Sequence, residues 1–270
     1  MIKHMIIKLS WFKKLIRNRS MSIFNHIENN GNCNFETNGE KIFLQNLFVE
    51  FSKNKEKKRI IFDVGANIGN YSQMLTDFSE HYNVPTDIHV FEPTVRSFES
   101  LVNKFGTKGN VYLNKKGLSD TEERCPIYYD KEQSGLASLY KRDLKCYNIE
   151  LSKSEDIETI CARNYIGREQ IPHIDFLKID IEGHELKAFE GFGKYLSSEF
   201  IDFIQFEYGG CNLDSHTSLM ELYAFLEGKG FKVSKVLPKG LELRLYNPIM
   251  ENFNFSNYVA ISNRLLQGIA

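Results

Sequence analysis

Residues 60–72 read Ile-Ile-Phe-Asp-Val-Gly-Ala-Asn-Ile-Gly-Asn-Tyr-Ser, and the fold is decided by how this stretch is read. Ile60-Ile61-Phe62-Asp63 is a short unbroken apolar run ending in an acid, the pattern of a buried strand. Gly65 to Gly69 make a turn, and a helix is predicted near Tyr71–Phe78. A strand, a glycine turn and a helix in immediate succession begin a parallel α/β sheet.

The same alternation continues on the C-terminal side. Ile88–Glu92 is a second strand. Val95, Phe98, Leu101, Val102 and Phe105 then line a helix that stops at Gly106, and Val111-Tyr112-Leu113 is a third strand. Residues 121–150 lack a helical period and are expected to form a β-hairpin or lid. Ser152 and Glu155 have capping-box spacing, so a helix is predicted through Ile157, Ile160, Cys161 and Tyr165 to Gly167. Further on come strands at Phe176–Asp180 and Ile201–Glu207, helices around Glu185–Leu196 and Leu219–Leu226, and closing strands at Phe231–Leu237 and Tyr258–Ile261. The expectation is a doubly wound sheet with helices on both faces.

On the N-terminal side, Ile2, Met5, Ile6, Leu9, Phe12 and Ile16 recur at helical spacing with lysines opposite. Turn-rich residues 29–40 separate this basic arm, residues 1–40, from a single domain over 41–270. The arm's first 20 residues hold Lys3, Lys8, Lys13, Lys14, Arg17 and Arg19 and no acid, a charge of +6. The whole chain carries −1, so the remainder carries −7. An acidic core argues against a broad nucleic-acid-binding face. The arm is expected to pack on its own domain or a second subunit, or to lie on an anionic membrane surface. Five scattered cysteines (Cys33, Cys125, Cys146, Cys161, Cys211) give neither a disulfide framework nor a zinc site and fit a reducing cytoplasm. No apolar run is long enough to span a bilayer.

Ligands on such sheets bind outside the carboxyl ends of the strands. Gly65 and Gly69 allow positive φ and close ligand approach. Glu92 ends the second strand, where its carboxylate can accept from both hydroxyls of an adenosine ribose. A dinucleotide site would want a second glycine where Asn67 stands. It would also set a pyrophosphate beside Asp63, which repels an anion but welcomes an amino group or a sulfonium. The reading favours S-adenosylmethionine over NAD.

Ile60–Ser72, Val90–Pro93 (VFEP), Gly117–Asp120 (GLSD), Asp175–Gly191 (DFLKIDIEGHELKAFEG) and Phe203–Tyr208 (FIQFEY) together resemble the FkbM-type methyltransferases, over roughly residues 40–265. The resemblance implies a class I methyltransferase fold, a Rossmann-like three-layer α/β sandwich whose seven-stranded, mostly parallel sheet has an antiparallel last strand. It implies O-methylation of sugars, polyketides or related small molecules. By position, Asp63, Gly65, Asn67, Gly69 and Asn70 would surround the methionine part of S-adenosylmethionine. Glu92 would hold the ribose, Ser119 and Asp120 would border the adenine, and Asp180 would lie beside the methyl group.

A sugar hydroxyl is a poor nucleophile at neutral pH, so a base that takes its proton is useful. Asp180, His184 and Glu207 are the candidates at the strand ends. Asp180 could instead contact the cofactor without proton transfer. His184 begins a helix, which would favour its neutral form. Glu207 could simply accept loop N–H groups. Asp180, Glu182, His184 and Glu207 would together suit Mg²⁺, but no spacing demands an ion and no metal is expected. The acceptor is expected to be a small molecule or a glycan precursor. The rival readings are a nicotinamide-dependent oxidoreductase and a non-catalytic scaffold; the intact turn and strand-end acids count against the latter.

Overall fold

The computed structural model describes residues 10–267; the helical pattern read from Ile2 to Leu9 lies outside them. Among the described residues, eleven strands form two sheets. The main sheet holds β1 (Arg59–Val64), β2 (Thr86–Phe91), β3 (Val111–Asn114), β7 (Ile174–Ile179), β8 (Ile201–Tyr208), β9 (Phe231–Leu237), β10 (Gly240–Leu243) and β11 (Ser256–Ser262). Their spatial order is β10-β9-β11-β8-β7-β1-β2-β3. Neighbours from β3 through β8 pair in parallel, and β11 runs antiparallel to both β8 and β9. The expected antiparallel last strand is present. β10 adds an eighth strand, folding back on β9 as an edge hairpin.

Both faces are covered because successive strand residues point to opposite sides. Phe62 packs with the helices α5 (Ala162–Arg168), α6 (Glu185–Phe192) and α8 (Leu219–Gly228). Its neighbour Ile61 packs on the other face, with α2 (Glu40–Phe51), α3 (Asn70–Tyr82) and α4 (Val95–Phe105). Sequence reading passed over α2, although Phe43, Leu47 and Phe51 recur at the four-residue step of a buried helical stripe and are all buried. α1 (Trp11–Ile27) and the short α7 (Cys211–Ser215) and α9 (Asn263–Leu266) complete the helices of the described residues.

One expected helix start is a strand. β6 (Lys153–Ile160) pairs antiparallel with β5 (Arg124–Tyr129), with Arg124 opposite Glu158 and Tyr129 opposite Lys153. Ile157 and Thr159 turn inward while Asp156 and Glu158 face water, a period of two. The apolar positions from 157 to 165 satisfy either period over so short a window, and strand pairing decides between them. β4 (Gly117–Leu118) joins the other edge of β6, so the region after β3 is a three-stranded flap beside the sheet. The register sets the carboxyl ends of β1, β2, β7 and β8 along one edge: Val64 lies opposite Phe91 and Ile179, and Lys178 opposite Gln205.

Candidate active site

The chain leaves β1 through a turn in which Gly65, Asn67 and Gly69 all have positive φ. Gly65 is required by space as well as by conformation. A Cβ there would sit 1.8 Å from the backbone oxygen of Asp180, so β1 and β7 approach closely only because it is absent. Asn67 takes the left-handed conformation at φ 48°, which asparagine tolerates better than most residues. Its N–H donates to Glu92 Oε2 at 2.9 Å, and its Oδ1 accepts from Ser97 Oγ at 2.9 Å. The turn is thereby tied to the end of β2 and to α4.

Gly65, Asn67, Glu92 and Asp180 line one cleft with His184. Phe91, Leu118, Ile127 and Ile157 supply its apolar walls, the last three from the flap. Glu92 Oε1 also accepts from the N–H and hydroxyl of Thr94, at 2.9 and 2.5 Å. Burial raises the pKa of Glu92, and these donors offset part of that rise. Three of its roughly four lone-pair positions are taken, leaving about one for a ligand hydroxyl. A glycine cradle, a strand-end carboxylate and an apolar slot beside it fit an adenosyl group.

Other expected contacts lie outside the lining of the cleft. Asp63 is wholly buried beneath the turn, accepting from Ser72 Oγ at 2.5 Å with Lys178 Nζ 3.8 Å away. Gly69 packs against α4, where a Cβ would stand 2.6 Å from Leu101, and Asn70 opens α3. Ser119 bonds His184, and Asp120 pairs with Lys187 at 3.0 Å. The preceding pair, Gly117 and Leu118, reaches the cleft instead.

The acids form a graded group. Lys178 is buried, 3.1 Å from Asp180 and 5.1 Å from the centre of the Tyr71 ring. Burial works against its charge, but Asp180 and Asp63 outweigh that and hold its pKa above the ordinary value. Behind it, Tyr71 donates to Gln205 at 2.7 Å, and Gln205 donates to Glu40 at 2.6 Å. Glu207 stands beside Asp180. Burial first, and then the Asp180 charge, push its pKa well above the usual carboxylate range. A neighbouring carboxylate charge thus favours the protonated form of Glu207. Sequence reading missed Lys178, although a lysine inside Phe176–Asp180 is a signal, since a buried cation needs partners.

His184 lies between two hydroxyls: Nε2 is 2.9 Å from Ser119 Oγ and Nδ1 is 3.0 Å from Tyr140 Oη. Burial lowers its pKa to about 4, so it is neutral, and both ring nitrogens are occupied. No lone pair is left free for a substrate proton. Glu182, at φ 53°, lines the cleft and pairs with Arg142 of the flap. Ser138 donates to the backbone oxygen of Glu182 at 2.8 Å. Ser138, Tyr140 and Arg142 of the flap therefore all reach residues 182–184. Ligating atoms of Glu182, Glu207 and Cys211 lie within 4.8 Å of one another, and Arg142 already supplies a cation there.

Glu185 begins α6 and accepts from the N–H groups of Ile181 and Gly183 at 3.0 and 3.3 Å, while its Oε2 has no partner. Burial raises its pKa from 4.5 to about 7. The folded state thus prefers the proton: this stabilisation is complete below about pH 4.5 and is lost as pH rises through about 7. Melting of the unliganded protein, followed from pH 5 to 8.5, is expected to shift to lower temperature across that window. Glu185→Gln should flatten the dependence; an unchanged slope would place its origin in other groups.

This fold is that of a class I methyltransferase domain, and its cleft fits S-adenosylmethionine. A family profile described as "Methyltransferase FkbM domain" matches residues 63–233, and the chain belongs to that family. It is similar to the hexuronic acid methyltransferase AglP of Haloferax volcanii, 25% identical over 144 residues, a stretch covering 53% of this chain and 54% of that protein. The chain therefore matches about half the length of that relative. Among solved structures, it is similar to the N-terminal domain of human METTL16 (11% identity, TM-score 0.44, 82% of this chain and 67% of that one). It is likewise similar to Aeropyrum pernix fibrillarin with bound S-adenosyl-L-methionine (12% identity, TM-score 0.40, 80% and 76%). No helix among the described residues is long and apolar enough to cross a membrane.

Proposed function

We propose that the chain transfers a methyl group to a hydroxyl of a sugar, on a nucleotide-activated or surface-glycan precursor, in the cytoplasm. The observation that carries this reading is the Asp180–Glu207 pair beside the cleft, with Lys178 as countercharge. S-adenosylmethionine, when bound, supplies the methyl as an electrophile on a sulfonium; Glu92 and the Gly65–Asn67 turn would hold it. The residues of the chain do the rest. The incoming hydroxyl would give its proton to Asp180 as its oxygen bonds to the methyl carbon and the methyl–sulfur bond breaks, leaving S-adenosylhomocysteine; Lys178, 3.1 Å from that carboxylate, stands as its countercharge. A carboxylate acceptor would need no base and would meet the charge of Asp180 at close range, so the acid group favours a neutral hydroxyl.

The likeness to a hexuronic acid methyltransferase supports a sugar acceptor, and the five unpaired cysteines support a reducing compartment. A polyketide hydroxyl would use the same base and is the second reading. The test is a panel of sugar, nucleotide-sugar and polyketide acceptors with labelled methyl donor, followed by mild alkali. A base-stable methyl ether on a sugar is expected. A base-labile ester, or a label only on the polyketides, would overturn the assignment. Glu92→Ala is expected to weaken S-adenosylhomocysteine binding about 10–100-fold, the worth of a hydrogen bond to a charged group; calorimetry reads it directly. Unchanged affinity would remove Glu92 from the ribose site.

A further inference from the structure

α1 stands apart from every other long helix of the described residues, because none of its 17 residues is buried. It begins at a Ser10 cap and exposes Trp11, Phe12, Leu15, Ile16, Ile23 and Ile27, with Trp11 76% and Ile27 65% accessible. At about 100° per residue these six fall within an arc of roughly 160°, while the exposed Met21 falls on the opposite side. Lys13, Lys14 and Arg17 lie on the opposite side, and Arg19 falls within the arc, where its long stem can carry the charge outward. No acid occurs between Ser10 and Ile27.

The end of the helix is firmly held. Glu28 pairs with Lys235 at 3.3 Å and with Arg244. The Asn29 amide donates to the backbone oxygens of Asn38 and Val236, at 2.7 and 3.1 Å, and the N–H of Gly31 donates to Phe255 at 2.8 Å. Phe255 immediately precedes Ser256, which lies opposite Tyr208 at the carboxyl end of β8. α1 is thus rooted at the same end of the sheet as Asp180 and Glu207.

We infer that α1 is a docking helix for an anionic lipid surface. Two occupants could cover its apolar face, and charge separates them. A second copy of α1 would bring four cations against four. A bilayer containing acidic headgroups attracts each lysine or arginine by about 1 kcal/mol and accepts the apolar arc at the level of the acyl chains. At 1.5 Å per residue the helix is about 25 Å long, suited to lying in the interface plane.

Trp11 is the only tryptophan in the chain, so tryptophan emission, excited selectively over that of the tyrosines, reports on this helix alone. The full chain is mixed with vesicles of phosphatidylcholine, with or without phosphatidylglycerol, and followed by emission and by flotation. A blue shift and flotation are expected with the acidic vesicles only, both weakened by salt. The triple variant Lys13→Glu, Lys14→Glu, Arg17→Glu is expected to lose about 100-fold in binding, from about 1 kcal/mol per cation. Its circular dichroism should be unchanged, since none of these side chains is buried. Ile16→Asp, which leaves the cations in place, is expected to remove the blue shift. Absence of binding to either vesicle would overturn the inference, as would equal binding to both. Self-association abolished by Ile23→Asp would overturn it in favour of a second copy. Lipid binding read this way is independent of methyl transfer, so either can fail without the other.

Discussion

Asp180→Asn is expected to lower kcat by about 10²–10⁴-fold, the range usual for a lost general base, while the folded variant still binds S-adenosylhomocysteine. Asparagine keeps the shape of the side chain and can still face Lys178, but it cannot take a proton from the acceptor. Lys178 would retain Asp63, 3.8 Å away, as its remaining countercharge. Glu207, relieved of the neighbouring charge that raises its pKa, would ionise at lower pH than before. Single-turnover methyl transfer measured across pH separates the two carboxyls. A kcat equal to wild type would show that the proton goes elsewhere, and Glu207→Gln would then be the variant to collapse the rate.

Gly65→Val is expected to destabilise the fold by about 3–5 kcal/mol, combining left-handed strain with overpacking. The new Cβ would meet the Asp180 carbonyl oxygen at 1.8 Å. That oxygen cannot retreat, because the N–H of the same residue donates to Val64 at 3.1 Å and fixes β7 against β1. In a chain of this size the melting temperature should fall by about 10 °C. Gly109→Ala is the control: nothing lies within 4 Å of its added Cβ, and its melting should stay close to wild type. Equal melting of Gly65→Val and wild type would mean that the turn relaxes around a side chain.

The parallel half of the sheet was legible because its strands are short apolar runs punctuated by glycine turns, as at Phe62–Gly65 and Ile179–Gly183. The flap was not. Its strands are amphipathic, and the residues of Lys153–Ile160 carry a helical and a strand period at once; only the partner strand from Arg124 to Tyr129 distinguishes them. Within the site, strand-end residues could be placed because a parallel sheet delivers them to one edge. Which of them faces ligand could not. Asp63 and Asp180 both follow apolar β-runs, yet one sits under the turn and the other lines the cleft. His184 looked like a base in isolation; its hydroxyl neighbours come from residues 44 and 65 positions away, beyond the reach of local pattern.

Ser138, Tyr140 and Arg142 grip the backbone oxygen of Glu182, the ring of His184 and the carboxylate of Glu182 in turn. The roof of the cleft is therefore pinned to the loop that continues from Asp180, the proposed proton acceptor. Changes in the roof that suit a different acceptor would pull on residues 182–184, and through them on Asp180 two positions earlier. On the proposed assignment, substrate range and proton removal become one inherited trait, able to drift only in step.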